Sequence, residues 1–198
     1  MRRVYMGLTV MALAIALAGC SDSSHHSHSS SGKSSSGPSA SASAAPSNGL
    51  TTIDVNQTIK DDQLGDIIKA LSVVRNFPIP DKYPAIKGSK ELVLVKFNLN
   101  VGTKYADVLS GDDFKLVSDG GSENFGTTIV DNEMKAAGYQ PLPAGGVHAG
   151  QTATGWAAFT VTPLGSRTLT LRYTRLAATV IGSHESIPEK TFEVPLVK

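Results

Sequence analysis

A chain of 198 residues with one cysteine cannot form a disulfide within itself. Whatever folds here must do so on apolar burial alone. Residues 50–198 are long enough for that, since domains of roughly 150 residues bury most of the surface their unfolded chain exposes. Aromatic residues are scarce at 6%, and Trp156 is the single tryptophan. Charge is scarce and balanced: 18 Lys and Arg against 17 Asp and Glu give a formal net charge of +1. Arg172 and Arg175 near Arg167 make a small basic patch, short of a nucleic-acid footprint, so no nucleic-acid partner is expected. Glycine-rich phosphate loops, zinc-finger spacings, zinc-protease motifs and Gly-x-Ser-x-Gly elbows are all missing. Ser183-His184-Glu185 has the residue types of a hydrolase triad, but neighbours on one strand point to opposite faces and cannot relay a proton among themselves. His148 lies in a turn between Gly146 and Gly150. The chain is therefore expected not to be an enzyme and to need no cofactor.

What the chain does have begins at its first residues. Arg2 and Arg3 precede an apolar run from Val4 to Ala18, and Leu17-Ala18-Gly19-Cys20 closes it. The order of basic start, apolar core and small residues is that of a secretory signal. The run of roughly 15 residues spans about 22 Å as a helix, short of a hydrocarbon core of about 30 Å. The residues after the arginine pair, Val4-Tyr5-Met6, fit a twin-arginine export signal poorly. The stretch resembles a bacterial lipoprotein signal peptide with its lipobox. That resemblance implies cleavage before Cys20, loss of residues 1–19 and a covalent diacylglycerol on the Cys20 sulfur. Two acyl chains anchor stably where one does not. The expected location is the extracytoplasmic side of a cell membrane, held by lipid.

Residues 20–49 follow as a tether. Ser21 to Asn48 is almost entirely Ser, Ala, Gly, Pro and His, with no large apolar residue to offset the entropy of ordering. Coil scaling over about 29 such residues gives a reach of roughly 30 Å. Inside it sits His25-His26-Ser27-His28. His25, His26 and His28 are candidate zinc, nickel or copper ligands, although such a tract lacks the partners that fix an imidazole's orientation. A spacer that happens to contain histidines is the simpler reading.

Past Leu50 the pattern changes to period two. Val93, Val95, Phe97, Leu99 and Val101 alternate with Lys96, Asn98 and Asn100. Leu169, Leu171 and Tyr173 repeat the pattern, as do Phe192, Val194 and Leu196. Further strands are expected over 113–118, 155–162 and 179–181. Glycine- and proline-rich turns separate them. Leu64, Ile67, Ile68, Leu71 and Val74 stand at helical spacing, yet Ile67, Leu71, Val73 and Phe77 also fit one face of a strand, and the β context favours the strand. A short helix is expected over 131–137, capped by Asp131 and ended by Gly138. The expected fold is all-β: an antiparallel sandwich.

The order of several pieces resembles the bacterial telokin-like, immunoglobulin-like lipoprotein domains of unknown function, a fold also found in a mycobacterial secreted immunoprotective antigen. The pieces are Leu92–Asn100, Asp113–Gly120, Leu142-Pro-Ala-Gly-Gly146, Gly150–Val161, Leu169–Tyr173 and Phe192–Leu196. The most recognisable is the strand Gly155-Trp156-Ala157-Ala158-Phe159. The resemblance implies an immunoglobulin-like β-sandwich at the cell surface and no catalytic set. Asp112, Asp113, Asp119 and Glu123 cluster around one strand but lack calcium-loop spacing. Trp156 and Phe159 should lie on opposite faces, with Phe159 in the core beside Ala157 and Val161. The connection 124–150 is expected to be a long loop exposing Tyr139, so Tyr139 and Trp156 are the candidate contacts for a partner. The reading is a non-catalytic binding or scaffold module for an envelope protein or polymer. The alternative is a lipoprotein that binds a small ligand or metal through the histidine tract or the turn acids.

Overall fold

The computed structural model describes residues 50–197; the signal segment, Cys20 and the histidine tract lie outside the described residues. Twelve strands and one short helix follow in order: β1 (Thr52–Asp61), β2 (Asp66–Val74), β3 (Glu91–Asn100), β4 (Val108–Leu109), β5 (Phe114–Ser118), β6 (Glu123–Thr127), α1 (Asp131–Ala136), β7 (Val147–His148), β8 (Thr152–Val161), β9 (Leu169–Arg175), β10 (Ala178–Thr179), β11 (Ser186–Ile187) and β12 (Lys190–Val197). Eight of these strands form one sheet in the order β1-β2-β3-β8-β6-β5-β9-β12, every neighbouring pair antiparallel. β4 pairs with β7, and β10 with β11, as separate two-stranded ribbons.

Two stacked sheets were the expectation; one continuous sheet is the finding. The strand that joins the halves is β6. Its first residues pair with β5, while Gly126 and Thr127 pair with Phe159 and Ala158 of β8. The crossing needs a close backbone approach, because a Cβ at Gly126 would stand 2.7 Å from the Gly111 carbonyl oxygen. The sheet curls until β1 and β12 run near each other without pairing, so the architecture approaches a closed barrel. Pro195 sits on β12, a free edge, where its missing N–H costs no ladder bond.

The inner face holds the main core. Val93, Val95, Phe97, Leu99 and Val101 pack there with Phe114, Leu116, Phe159, Leu169, Leu171 and Leu196, as the period of two predicts. Phe97 and Phe114 stack with ring centroids 4.7 Å apart. β2 is a strand, but its inward face is Ile68, Ala70 and Val73 rather than Ile67, Leu71 and Val73. Ile67 and Leu71 are half-buried. A bulge between Ala70 and Ser72 shifts the register and moves alternate side chains to the other face.

A second core lies on the outer face of β3 and β8. Val74, Leu92, Leu94, Trp156 and Ala158 are covered there by Phe77, Val130, Met134 and Tyr139. The cover depends on how α1 ends. Gly138 has φ +85°, the Gly138 amide donates to the Lys135 carbonyl at 3.1 Å, and the Tyr139 amide donates to Met134 at 2.8 Å. This left-handed glycine turn satisfies the last carbonyls and drops Tyr139 onto Met134 and the sheet. Gly138 ends the helix as expected. Asp131 does not cap it: Val130 takes that position with no side-chain cap bond, because its side chain is buried in the second core. After Tyr139 the chain runs beside β8, with Trp156 N–H donating to Gln140 at 2.9 Å and Leu142 N–H donating to Trp156 at 3.0 Å.

That contact explains Gly155. A Cβ there would lie 2.7 Å from the Leu142 nitrogen and 2.9 Å from the Pro141 carbonyl carbon, both backbone atoms. Gly155→Ala should lower the urea midpoint by forcing segment 140–142 away from β8. Tyr139→Ala should cost about 3–5 kcal/mol, the range for deleting a buried aromatic. Urea unfolding of both variants with an unchanged slope would check this; a Tyr139→Ala midpoint equal to wild type would remove the second core from the argument.

Candidate functional site

The strongest concentration of chemistry among the described residues lies at the end of the sheet where β1 turns into β2. Asp61 and Asp66 face each other across that turn, and both are 1% exposed. Asp61 Oδ1 accepts from the Gln63 amide at 3.1 Å and from Arg175 Nη1. Arg175, itself buried, also donates through Nε to the Pro188 carbonyl at 3.1 Å. Asp66 Oδ1 accepts from the Gly102 amide at 2.8 Å. The second oxygens of Asp61 and Asp66 are buried with no hydrogen-bond donor.

Asp107 completes the group. Its carboxyl faces Asp66, and burial, with the neighbouring Asp107 and Asp61 charges, pushes the Asp66 carboxyl up to about 6 against the opposing pull of the Gly102 amide. A second carboxylate beside it makes the Asp66 carboxyl hold its proton more readily. Tyr173, buried on β9 beside these acids, has its phenol pushed up, first by burial and then by the charges of Asp107, Asp66, Asp61 and Asp113. Glycine is required where the 101–108 segment crosses the β1–β2 turn, since a Cβ at Gly102 would fall 2.1 Å from the Leu64 carbonyl oxygen. At the rim, Glu185 Oε1 accepts from the Tyr105 hydroxyl at 2.9 Å and pairs with Lys104 at 3.6 Å. The arrangement can hold a proton and report its loss. It presents no nucleophile. Among the described residues no three His, Cys, Asp or Glu side chains are placed to hold a metal ion.

The residues singled out from the sequence are placed differently. Tyr139 is not exposed: it is 0% exposed, with its ring edge-on to Trp156 at 5.0 Å and to Phe77 at 5.7 Å. The connection 124–150 folds over the sheet, so its aromatic residue is drawn inward. Trp156 is 8% exposed and lies on the face opposite Phe159, while Ala157, Phe159 and Val161 share the main core. The two candidate contact residues are thus brought together, as core. The turn acids are committed separately. Asp113 accepts from the Ser110 amide at 2.8 Å, and Asp119 accepts from the Thr168 hydroxyl and from the Arg167 and Thr168 amides at 2.7 and 2.9 Å, which together hold its carboxyl down at about 2. Glu123 pairs with Lys115 and Arg172. Arg172 and Arg175 do not form a patch, because Arg172 lies on the outer face between Glu123 and Glu193 while Arg175 is buried against Asp61. Ser183, His184 and Glu185 occupy the exposed turn of the β10–β11 ribbon.

Asp66 was missed although a signal existed. It shares its side of β2 with Ile68 and Ala70, so the period that marks the core also marks an inward carboxylate. The Asp61–Arg175 pair spans 114 positions and has no local signal.

No family model matches the chain, and no curated protein matches it. Among solved structures, the chain is similar to a putative lipoprotein, YcdA, of Bacillus subtilis, with a TM-score of 0.47 and 18% identity over 72% of this chain and 39% of that one. It is also similar to a functionally unknown protein from Listeria monocytogenes, with a TM-score of 0.44 and 12% identity over 73% of this chain and 84% of that one. The chain spans about two-fifths of the Bacillus protein's length.

The raised Asp66 value sets a sign. The carboxyl is neutral in both states well below pH 4, and as pH climbs from the unfolded value through about 6 the folded state must carry a charge it disfavours, so stability falls over that window. Asp66→Asn keeps the acceptor for Gly102 and removes the charge. It should stabilise the protein more at pH 7.5 than at pH 5 in thermal unfolding; an equal change at both values would show that Asp66 does not titrate there.

Proposed function

We propose that the chain is a lipid-anchored extracytoplasmic protein whose all-β domain is a non-catalytic binding or scaffold module for an envelope protein or polymer. The observation that carries the reading is Leu17-Ala18-Gly19-Cys20 at the end of an apolar run, followed by a Ser-rich stretch that reaches the domain where β1 begins. In this reading residues 1–19 are removed, Cys20 carries diacylglycerol, residues 20–49 are the tether and residues 50–198 the working domain. In this reading the domain is an immunoglobulin-like variant in which β6 joins the two halves into one sheet. A metal-binding role for His25, His26 and His28 has no second observation in its favour.

With Tyr139 and Trp156 buried, the surface offered to a partner moves to the β10–β11 ribbon. Leu176 and Ile181 there are 61% and 60% exposed, and residues 176–183 carry no charge. An uncharged apolar ribbon is the kind of surface that partner contact covers.

The anchor is tested by intact mass and fractionation of wild type and Cys20→Ser from cells making them. A diacylglyceryl mass on a chain starting at Cys20, lost with release from the membrane in the variant, is the expected result. A chain cut elsewhere, or not cut, would overturn the proposal.

A further inference from the structure

We infer that the end of the domain where the tether attaches docks on the surface of an anionic lipid bilayer; this rests on the lipid anchor proposed above. β1 starts at Thr52 opposite Val74, and Leu50 packs on the second core alongside Ile79 and Tyr83. The chain that precedes Leu50 therefore joins the domain at this end. A groove opens beside that point, with Phe77, Ile79 and Leu92 as its apolar floor and Lys87 and Lys90 on its wall. Leu164 stands at its rim, 54% exposed. Lys87 pairs with Asp81, whose side chain is 92% exposed, so neither charge is withdrawn from water.

Charge separates the two ends. The turns at the tether end, 75–91, 119–122 and 162–168, carry Arg75, Lys82, Lys87, Lys90 and Arg167 against Asp81, Glu91 and Asp119, and with Glu133 of α1, which pairs with Lys82, the excess is one cation. The turns at the far end, 61–66, 102–107 and 182–189, carry Asp61, Asp62, Asp66, Asp107, Glu185 and Glu189 against Lys104, with Arg175 compensating Asp61. An anionic surface attracts the first end and repels the second. Lysines beside exposed apolar side chains suit the headgroup layer, where the stems lie along apolar surface and the ammonium groups stay wet. One leucine and two lysines, one of them paired with Asp81, bind lipid weakly by themselves. Attachment to the same bilayer through the anchor raises the effective concentration of the second contact to roughly the millimolar range, at which a weak contact is occupied.

The test uses the lipidated protein purified from membranes. With Cys20 acylated, Leu164→Cys and Ile181→Cys each supply a lone free thiol, one at either end, for a spin label. The proteins are reconstituted in phosphatidylcholine vesicles with and without phosphatidylglycerol. The expected result is a several-fold loss of collision with an aqueous relaxation agent at position 164, only on anionic vesicles, with position 181 unchanged. Lys87→Glu with Lys90→Glu, or high salt, should restore the collisions. Equal accessibility at both positions on anionic vesicles would overturn the docking while leaving the anchor in place. Shielding at 164 without vesicles would instead assign the surface to a second copy of the chain and overturn the lipid. Protein that does not float with either vesicle would overturn the anchor, and the docking with it.

Discussion

The fold depends on a central strand that is apolar on both faces. Leu92 and Leu94 of β3 point outward and are 1% and 0% exposed, while Val93 and Val95 point inward and are equally buried. An antiparallel sheet commonly leaves one face to water. Here the outer face needs a cover, and the chain supplies it between β6 and β7. The glycine turn after α1 sets the angle, Tyr139 fills the space over Trp156, and Gly155 lets the backbone of 140–142 lie against β8. The aromatic residues that might be taken for a binding surface are the fastening of this second layer.

Each end of the sheet is held by an arginine. At the end where β1 begins, Arg75 grips both oxygens of Glu91 and the carbonyl of Ser166, tying the β2–β3 connection to the turn after β8. At the far end Arg175 reaches Asp61 and the Pro188 carbonyl, tying the last strands to the first. Both carboxylates are buried, so removing either arginine leaves a charge without compensation, a larger loss than the pair contributes as a net gain. Asp66 differs from these. It sits in the same dry environment with only an amide donor and another carboxyl opposite, and that is why its proton is retained toward neutral pH.

Much of the all-β character was legible in the sequence because strands with one inward face print a period of two. Glu91–Asn100, Leu169–Arg175 and Lys190–Val197 were legible for that reason. The inward face of β2 was not, since a single bulge reverses the alternation midway. The number of sheets was not legible either, because it turns on β6 exchanging partners after three residues. Tyr139 was misplaced because its burial is decided by a helix end folding onto a distant strand. Among the chemical groups, Asp66 carried a readable pattern and the Asp61–Arg175 pair did not.

The seam between β1 and β12 has a mechanical consequence. A pull applied to the chain ahead of Leu50 passes into β1, which is hydrogen-bonded along its length to β2 alone. If the resisting load sits at the far end, the force runs along the strand axis and falls on all rungs of the β1–β2 ladder together, since those bonds lie across the strands. A sideways pull at Thr52 would instead open the rungs one by one. The domain is therefore strong when stretched between its two ends and weak when peeled, and the point at which a load is applied decides which of the two it experiences.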